Sequence, residues 1–75
     1  MKIDYIIAYT DKHGNGYDKN YPWLHDTGDN LEISKAHVKM LNDMGMKDVT
    51  LFYMEEGEYL EQIPWSFINE RKVEI

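Results

Sequence analysis

Few side chains in this sequence are of types that do chemistry, and their spacing decides what that chemistry could be. The histidines are His13, His25 and His37. An imidazole can act as a general base, orient a neighbour or ligate a metal. No H-x-x-x-H or H-E-x-x-H spacing occurs, so a zinc site would have to be assembled from distant positions. His25 precedes Asp26, an acid that could orient its ring, although sequence neighbours usually point apart. His37 falls on an apolar helical stripe and reads as a partly buried residue whose ring nitrogens find partners. Asp11, His13, Asn15, Gly16 and Asp18 echo the opening of an EF-hand calcium loop. The match fails at His13 in the third position and at Pro22 in the twelfth, where a bidentate glutamate belongs. The run reads as a hairpin turn, and no metal ligand is expected.

Nucleophilic catalysis has little to work with. There is no cysteine, and the serines, Ser34 and Ser66, do not lie in a G-x-S-x-G elbow. There is no phosphate loop and no dinucleotide fingerprint. A ribonuclease using His25 as base would want cations for the phosphate, and Arg71 is the sole arginine. A chain of 75 residues also rarely encloses a ligand pocket of ~300 Å³ or more. No catalytic residue and no cofactor are expected, and the chain reads as a non-enzyme.

Charge is the more informative signal. Fourteen acids against eight bases leave a net charge of −6. Nucleic-acid backbones require a basic footprint, so direct binding to DNA or RNA is not expected. The acids are uneven, and Glu55, Glu56, Glu58 and Glu61 crowd around one expected hairpin. One reading is a solvated edge whose charges prevent edge-to-edge pairing. The other is a carboxylate row that engages a basic protein surface such as a nucleic-acid channel. The candidate partner-binding residues are then Glu55, Glu56, Glu58 and Glu61, flanked by Tyr53 and Tyr59 as amphipathic anchors.

The elements that must position these residues follow from periodicity. Residues 2–10 alternate, with Ile3, Tyr5, Ile7 and Tyr9 on one face, and read as a strand. Tyr17 to Leu24 is a weaker second strand, placed at an edge because Pro22 cannot donate to a ladder. His25 to Asn30 reads as a turn. Residues 30–44 form the clearest helix, with Ile33, Ala36, His37, Met40, Leu41 and Met44 in one stripe. Asp29 is the expected cap, with Glu32 in capping-box spacing, and Gly45 the left-handed stop. Val49 to Met54 is a third strand, Glu56-Gly57 a turn, and Glu58 to Ile63 a fourth strand. Trp65 to Lys72 forms a short helix after Pro64.

These elements predict an α+β fold: a single four-stranded antiparallel sheet, ββαββ in the order 2-1-3-4. One helix covers one face, and a short C-terminal helix follows. With the helix over Ile3, Tyr5, Ile7, Val49, Leu51 and Tyr53, the opposite face presents Ile6, Ala8, Phe52 and Met54. That face is too apolar for water. The Trp65–Ile68 segment, a second copy of the chain or a partner should cover it.

Residues 1–75 read as a single domain near the lower size limit for a self-sufficient core. Hydrophobic residues at 43% mark a globular chain rather than an acidic tail. No apolar run is long enough to span a membrane, and Met1 to Tyr5 alternates rather than opening a signal peptide. Together with the absence of cysteine this suggests a cytoplasmic location. The hairpin-then-helix opening is similar to that of small antitoxins and phage-encoded inhibitors of nucleases. The likeness lies in size, acidity and topology, and no residue carries over from it. The expected function is a small acidic interaction protein that occludes the basic nucleic-acid-binding surface of a partner protein. The alternative is a structural or regulatory homodimer that buries the second sheet face.

Overall fold

The computed structural model describes residues 2–58 and 62–75. The chain is α+β, with one antiparallel sheet and a helix packed on it. β1 (Ile3–Thr10) is the central strand, in keeping with its β-branched and aromatic residues. Ile6, Ile7 and Ala8 are buried in sequence, as a strand covered on both faces requires.

The second strand lies later than its predicted Tyr17–Leu24. β2 (Trp23–Gly28) takes in residues that read as a turn. It pairs antiparallel with β1 through Ile6↔Asp26, Ile7↔His25 and Ala8↔Leu24, with a bulge near Tyr5. The displacement has local causes. Asp18 and Tyr21 exchange backbone hydrogen bonds of 3.1 and 3.2 Å, which turns the chain back on itself before Pro22. A Cβ on Gly16 would lie 2.5 Å from the Tyr21 carbonyl oxygen, so only glycine permits that close approach. The polar residues after Leu24 are accommodated because β2 is an edge strand. Thr27 Oγ1 donates to the Tyr5 carbonyl at 3.0 Å, which fastens the end of β2 to β1.

α1 (Leu31–Asp43) is capped by Asn30 rather than Asp29: the Asn30 carboxamide oxygen accepts from the Ile33 amide at 3.1 Å. At the other end Gly45 has φ 87°. Its amide donates to Asn42 O, and the Met46 amide donates to Leu41 O, closing a Schellman motif. The buried stripe is Ser34, Val38 and Leu41, one position round from the predicted one. Leu41 is buried as expected, whereas Ala36 is exposed and Ile33, Met40 and Met44 are about half exposed. The rotation turns on Ser34, whose hydroxyl is satisfied inside: it donates to Asn30 O at 2.8 Å and meets the Thr27 hydroxyl.

β3 (Lys47–Glu55) pairs antiparallel with β1, aligning Ile6 with Phe52 and Ile7 with Leu51. Among the described residues the sheet has three strands, in the order β2-β1-β3, not the predicted four. Of the expected fourth strand, Tyr59, Leu60 and Glu61 lie outside the described residues, and Glu58, Gln62 and Ile63 are not in strand conformation. The outer edge of β3 is occupied instead by the chain after α2 (Trp65–Glu70). There the Tyr53 amide donates to Arg71 O at 3.2 Å and the Val73 amide to Leu51 O at 2.8 Å.

The sheet divides the core in two. Ile7 and Leu51 pack against Val38 and Leu41 of α1. On the other face Ile6, Ala8, Phe52 and Met54 pack with Ile63 and Ile68, flanked by Leu24, Trp65 and Phe67. The second apolar face is therefore covered from within the chain by α2, and Phe52 and Ile68 are fully buried there.

Candidate functional site

The turn that follows β3 is built by its own backbone. The Glu56 amide donates to Lys2 O at 2.9 Å, and the Glu58 amide to Glu55 O at 3.1 Å. Glu58 then folds inward. Its Oε1 accepts from the Glu55 amide at 3.2 Å and from Arg71 Nη1 at 2.7 Å. The Arg71 guanidinium in turn lies over Phe67 at 4.6 Å and Tyr53 at 5.3 Å from the ring centroids. The hydrogen bond from Arg71 holds the Glu58 carboxyl below its ordinary value, and Glu58 raises Arg71 in return.

This arrangement divides the sequence-derived candidates. Glu58 and Tyr53 belong to an internal ion pair and aromatic clamp, so neither is a freely presented recognition group. Tyr59 and Glu61 lie outside the described residues. Glu55 and Glu56 remain at the surface, and the fold brings Asp4 and Asp26 to them. These four carboxylates, with Lys2 and Glu58, line a cleft of about 190 Å³ at one end of the sheet. Asp4 and Asp26 were not foreseen because their convergence depends on the register of β2, with Asp26 opposite Ile6 and Asp4 opposite Met54. Alternation already puts Asp4 on the face of Ile6 and Ala8, and that was the available signal.

The histidines also gain a partner that sequence did not show. His25 Nε2 and His37 Nδ1 lie 2.8 Å apart, with the rings stacked at 20° and their centroids 5.0 Å apart. The pair joins β2 to α1 through one hydrogen bond that uses one nitrogen of each ring. Asp26 lies on the opposite side of β2 from His25 and instead accepts from the Gly28 amide at 2.9 Å. Among the described residues no three His, Cys, Asp or Glu side chains are grouped to hold a metal. In the Asp11 loop, the carboxylate accepts from the amides of His13 and Asn15 at 2.8 and 3.0 Å. The Asn15 and His13 amides hold that carboxyl below its ordinary value, so its oxygen already serves the turn.

A second concavity lies further along β2. Tyr17, Tyr21, Pro22, Trp23, Leu24 and Gln62 enclose about 310 Å³. Tyr17 and Trp23 meet edge to face, at 86° and 5.5 Å between centroids. Leu24 and Asp26 are alternate residues of β2, about 7 Å apart along the strand, so the aromatic pocket and the acidic cleft each take a lining residue from the same face of β2. Comparison with protein families, curated proteins and solved structures finds no match for the chain. The functional reading therefore rests on the chemistry of these surfaces.

Proposed function

We propose that the chain is a non-enzymatic binding protein that engages a basic protein and occludes its nucleic-acid-binding surface. The observation that carries the reading is the cleft where Asp4 of β1, Asp26 of β2, Glu55 of β3 and Glu56 of the following turn meet, with only Lys2 to offset them. Their side chains come from separate parts of the sequence, so the concentration of charge is a product of the fold. Among the described residues none of these four carboxylates has a salt-bridge partner. A row of carboxylates on a rigid sheet can replace phosphates against a basic groove, and a net charge of −6 steers the encounter. Glu58, first grouped with Glu55 and Glu56, also lines the cleft, but its charge is met by Arg71 at 2.7 Å.

The test is affinity capture from the native host with two paired variants. Glu55→Lys with Glu56→Lys, and Glu70→Lys with Glu74→Lys, change net charge equally. The wild-type chain should retain a basic nucleic-acid-binding protein that is released as salt rises from ~0.05 to 0.5 M, where the Debye length falls from about 14 to about 4 Å. The first pair should abolish capture and the second leave it. Equal effects of the two pairs would reduce the cleft to an ordinary solvated surface.

A further inference from the structure

We propose that the Tyr17–Trp23 pocket is a receptor for an arginine side chain of the protein partner, an inference that rests on the basic-partner reading and extends it. Large aromatic surface is open here: Tyr17 is 60% and Trp23 41% exposed, and both lie outside the two core clusters. The two rings meet edge to face, so they brace each other while both line the pocket. Tyr21 and Pro22 extend the lining, and Gln62 adds a carboxamide that can accept a hydrogen bond.

The walls are held in place. The backbone bonds between Asp18 and Tyr21 fix the turn, and Gly16 packs beneath Tyr21 and Pro22. Such a concavity suits an elongated side chain with a flat end. Guanidinium fits that description better than ammonium, because it is planar, weakly hydrated and stacks on aromatic faces.

Charge complementarity selects the cation over a neutral occupant. The chain carries −6, and β2 contributes Asp26 to the acidic cleft as it contributes Trp23 and Leu24 to the pocket. Asp18, next to Tyr17 in sequence, faces the neighbouring cleft with Lys19, and its carboxylate accepts from the Lys19 amide at 2.6 Å. Lys19, the nearest cation in sequence, lines the clefts beside Trp65 rather than this pocket. The chain also shows the same chemistry with its own arginine. Arg71 lies over Tyr53 and Phe67 and is tied to Glu58. The Tyr17–Trp23 pocket offers two rings and the Gln62 carboxamide to a guanidinium from elsewhere, with the negative charge supplied by the chain as a whole.

The experiment is an NMR titration of the full chain with a capped Gly-Arg-Gly-Arg-Gly peptide and with its counterpart carrying neutral citrulline for arginine. The arginine peptide should shift the Trp23 indole and the Tyr17 and Tyr21 signals, and the citrulline peptide should bind about ten-fold more weakly. Trp23→Leu and Tyr17→Leu should each weaken the arginine peptide by about ten-fold while preserving amide dispersion. Both rings are exposed enough for either variant to serve if the other fails to fold. Shifts confined to Asp4, Asp26, Glu55 and Glu56 would overturn the pocket while leaving the acidic-cleft reading intact. Equal binding of the citrulline peptide, or tighter binding of a polyproline peptide, would overturn the arginine assignment. Pocket shifts that persist in a chain whose Glu55→Lys and Glu56→Lys changes leave host capture unaltered would support the pocket and remove the cleft instead.

Discussion

Arg71 occupies a position where three kinds of contact meet. It pairs with Glu58 at 2.7 Å, lies over two aromatic rings, and its carbonyl accepts from Tyr53 on the edge of β3. Charge reversal at Glu58 would set a lysine against this guanidinium, so it would damage the fold as well as any surface property. The pH dependence of the pair has a definite sign. Glu58 is held below its ordinary 4.5, chiefly by the Arg71 hydrogen bond. Between the lowered value and 4.5 the unfolded chain binds a proton that the folded chain refuses, so stability rises with pH. The contribution is complete above the unfolded value and is lost as pH falls through the folded one. Urea midpoints recorded from pH 6 down to pH 2.5 should therefore fall further for the wild-type chain than for Glu58→Gln. Parallel curves would mean that the pair adds nothing measurable. A second prediction at this scale concerns Gly16. Gly16→Ala places a methyl group 2.5 Å from Tyr21 O, and backbone cannot yield as a flexible side chain can. A loss of about 1–3 kcal/mol in chemical denaturation is expected, with the Tyr17 and Trp23 signals displaced. An unchanged melt would show that the 11–22 loop rearranges freely.

At the scale of elements, α1 shows what a stripe can and cannot specify. Its extent was legible because Gly45 and the i, i+3, i+4 repeat agree on where the helix stops and runs, although its cap is Asn30, one residue after the expected Asp29. Its rotation was not, because two adjacent stripes compete. Ile33, Met40 and Met44 are the more hydrophobic, yet Ser34, Val38 and Leu41 face the sheet. A serine in the core is read from sequence as polar and outward, and only the Thr27 and Asn30 oxygens beside it reveal otherwise. β1 and β3 were legible from alternation and β-branching. β2 was not, because half of it consists of turn-formers that an edge strand tolerates, while the tyrosines before it belong to a pocket. The same limit applied to the site: Glu55 and Glu56 could be found in the sequence, but Asp4 and Asp26 join them only through a register set by a bulge. The α1 rotation makes a sharp comparison. Leu41→Ala should cost about 2–5 kcal/mol, since the side chain is 5% exposed beside Ile7 and Leu51. Met40→Ala, at 43% exposure, should stay within about 0.5 kcal/mol. Similar costs at the two positions would place the helix in the wrong rotation.

For the whole molecule, the decisive segment is the last one. The Cα radius of gyration of 11.6 Å is close to the ~11.3 Å expected for a compact chain of this length. That compactness depends on the chain after Ile63 returning to the sheet. α2 seals the face formed by Ile6, Ala8, Phe52 and Met54, while Arg71 and Val73 close the edge of β3. Val73 also reaches the core cluster beneath α1, so one short segment touches both faces and an edge. No helix among the described residues is long and apolar enough to cross a membrane. With that face covered by α2, a monomer is the expected state of the free chain. Ile68 is the residue on which the seal turns, being fully buried in the cluster with Phe52 and Met54 and carried by a six-residue helix with no side-chain cap of its own. Such a helix has almost no intrinsic stability and is held by its packing. Ile68→Ala should therefore cost about 2–5 kcal/mol, a large share of the roughly 4–11 kcal/mol available to a chain of this size. Ser66→Ala, on the exposed side of the same helix, should cost almost nothing. With the seal loosened, the apolar face becomes available to a second copy. Sedimentation at micromolar concentration should show a monomer for the wild-type chain and a concentration-dependent mass for Ile68→Asp. A wild-type dimer that Ile68→Asp dissolves would reverse the argument, assigning α2 to an interface between copies rather than to the closure of a single chain.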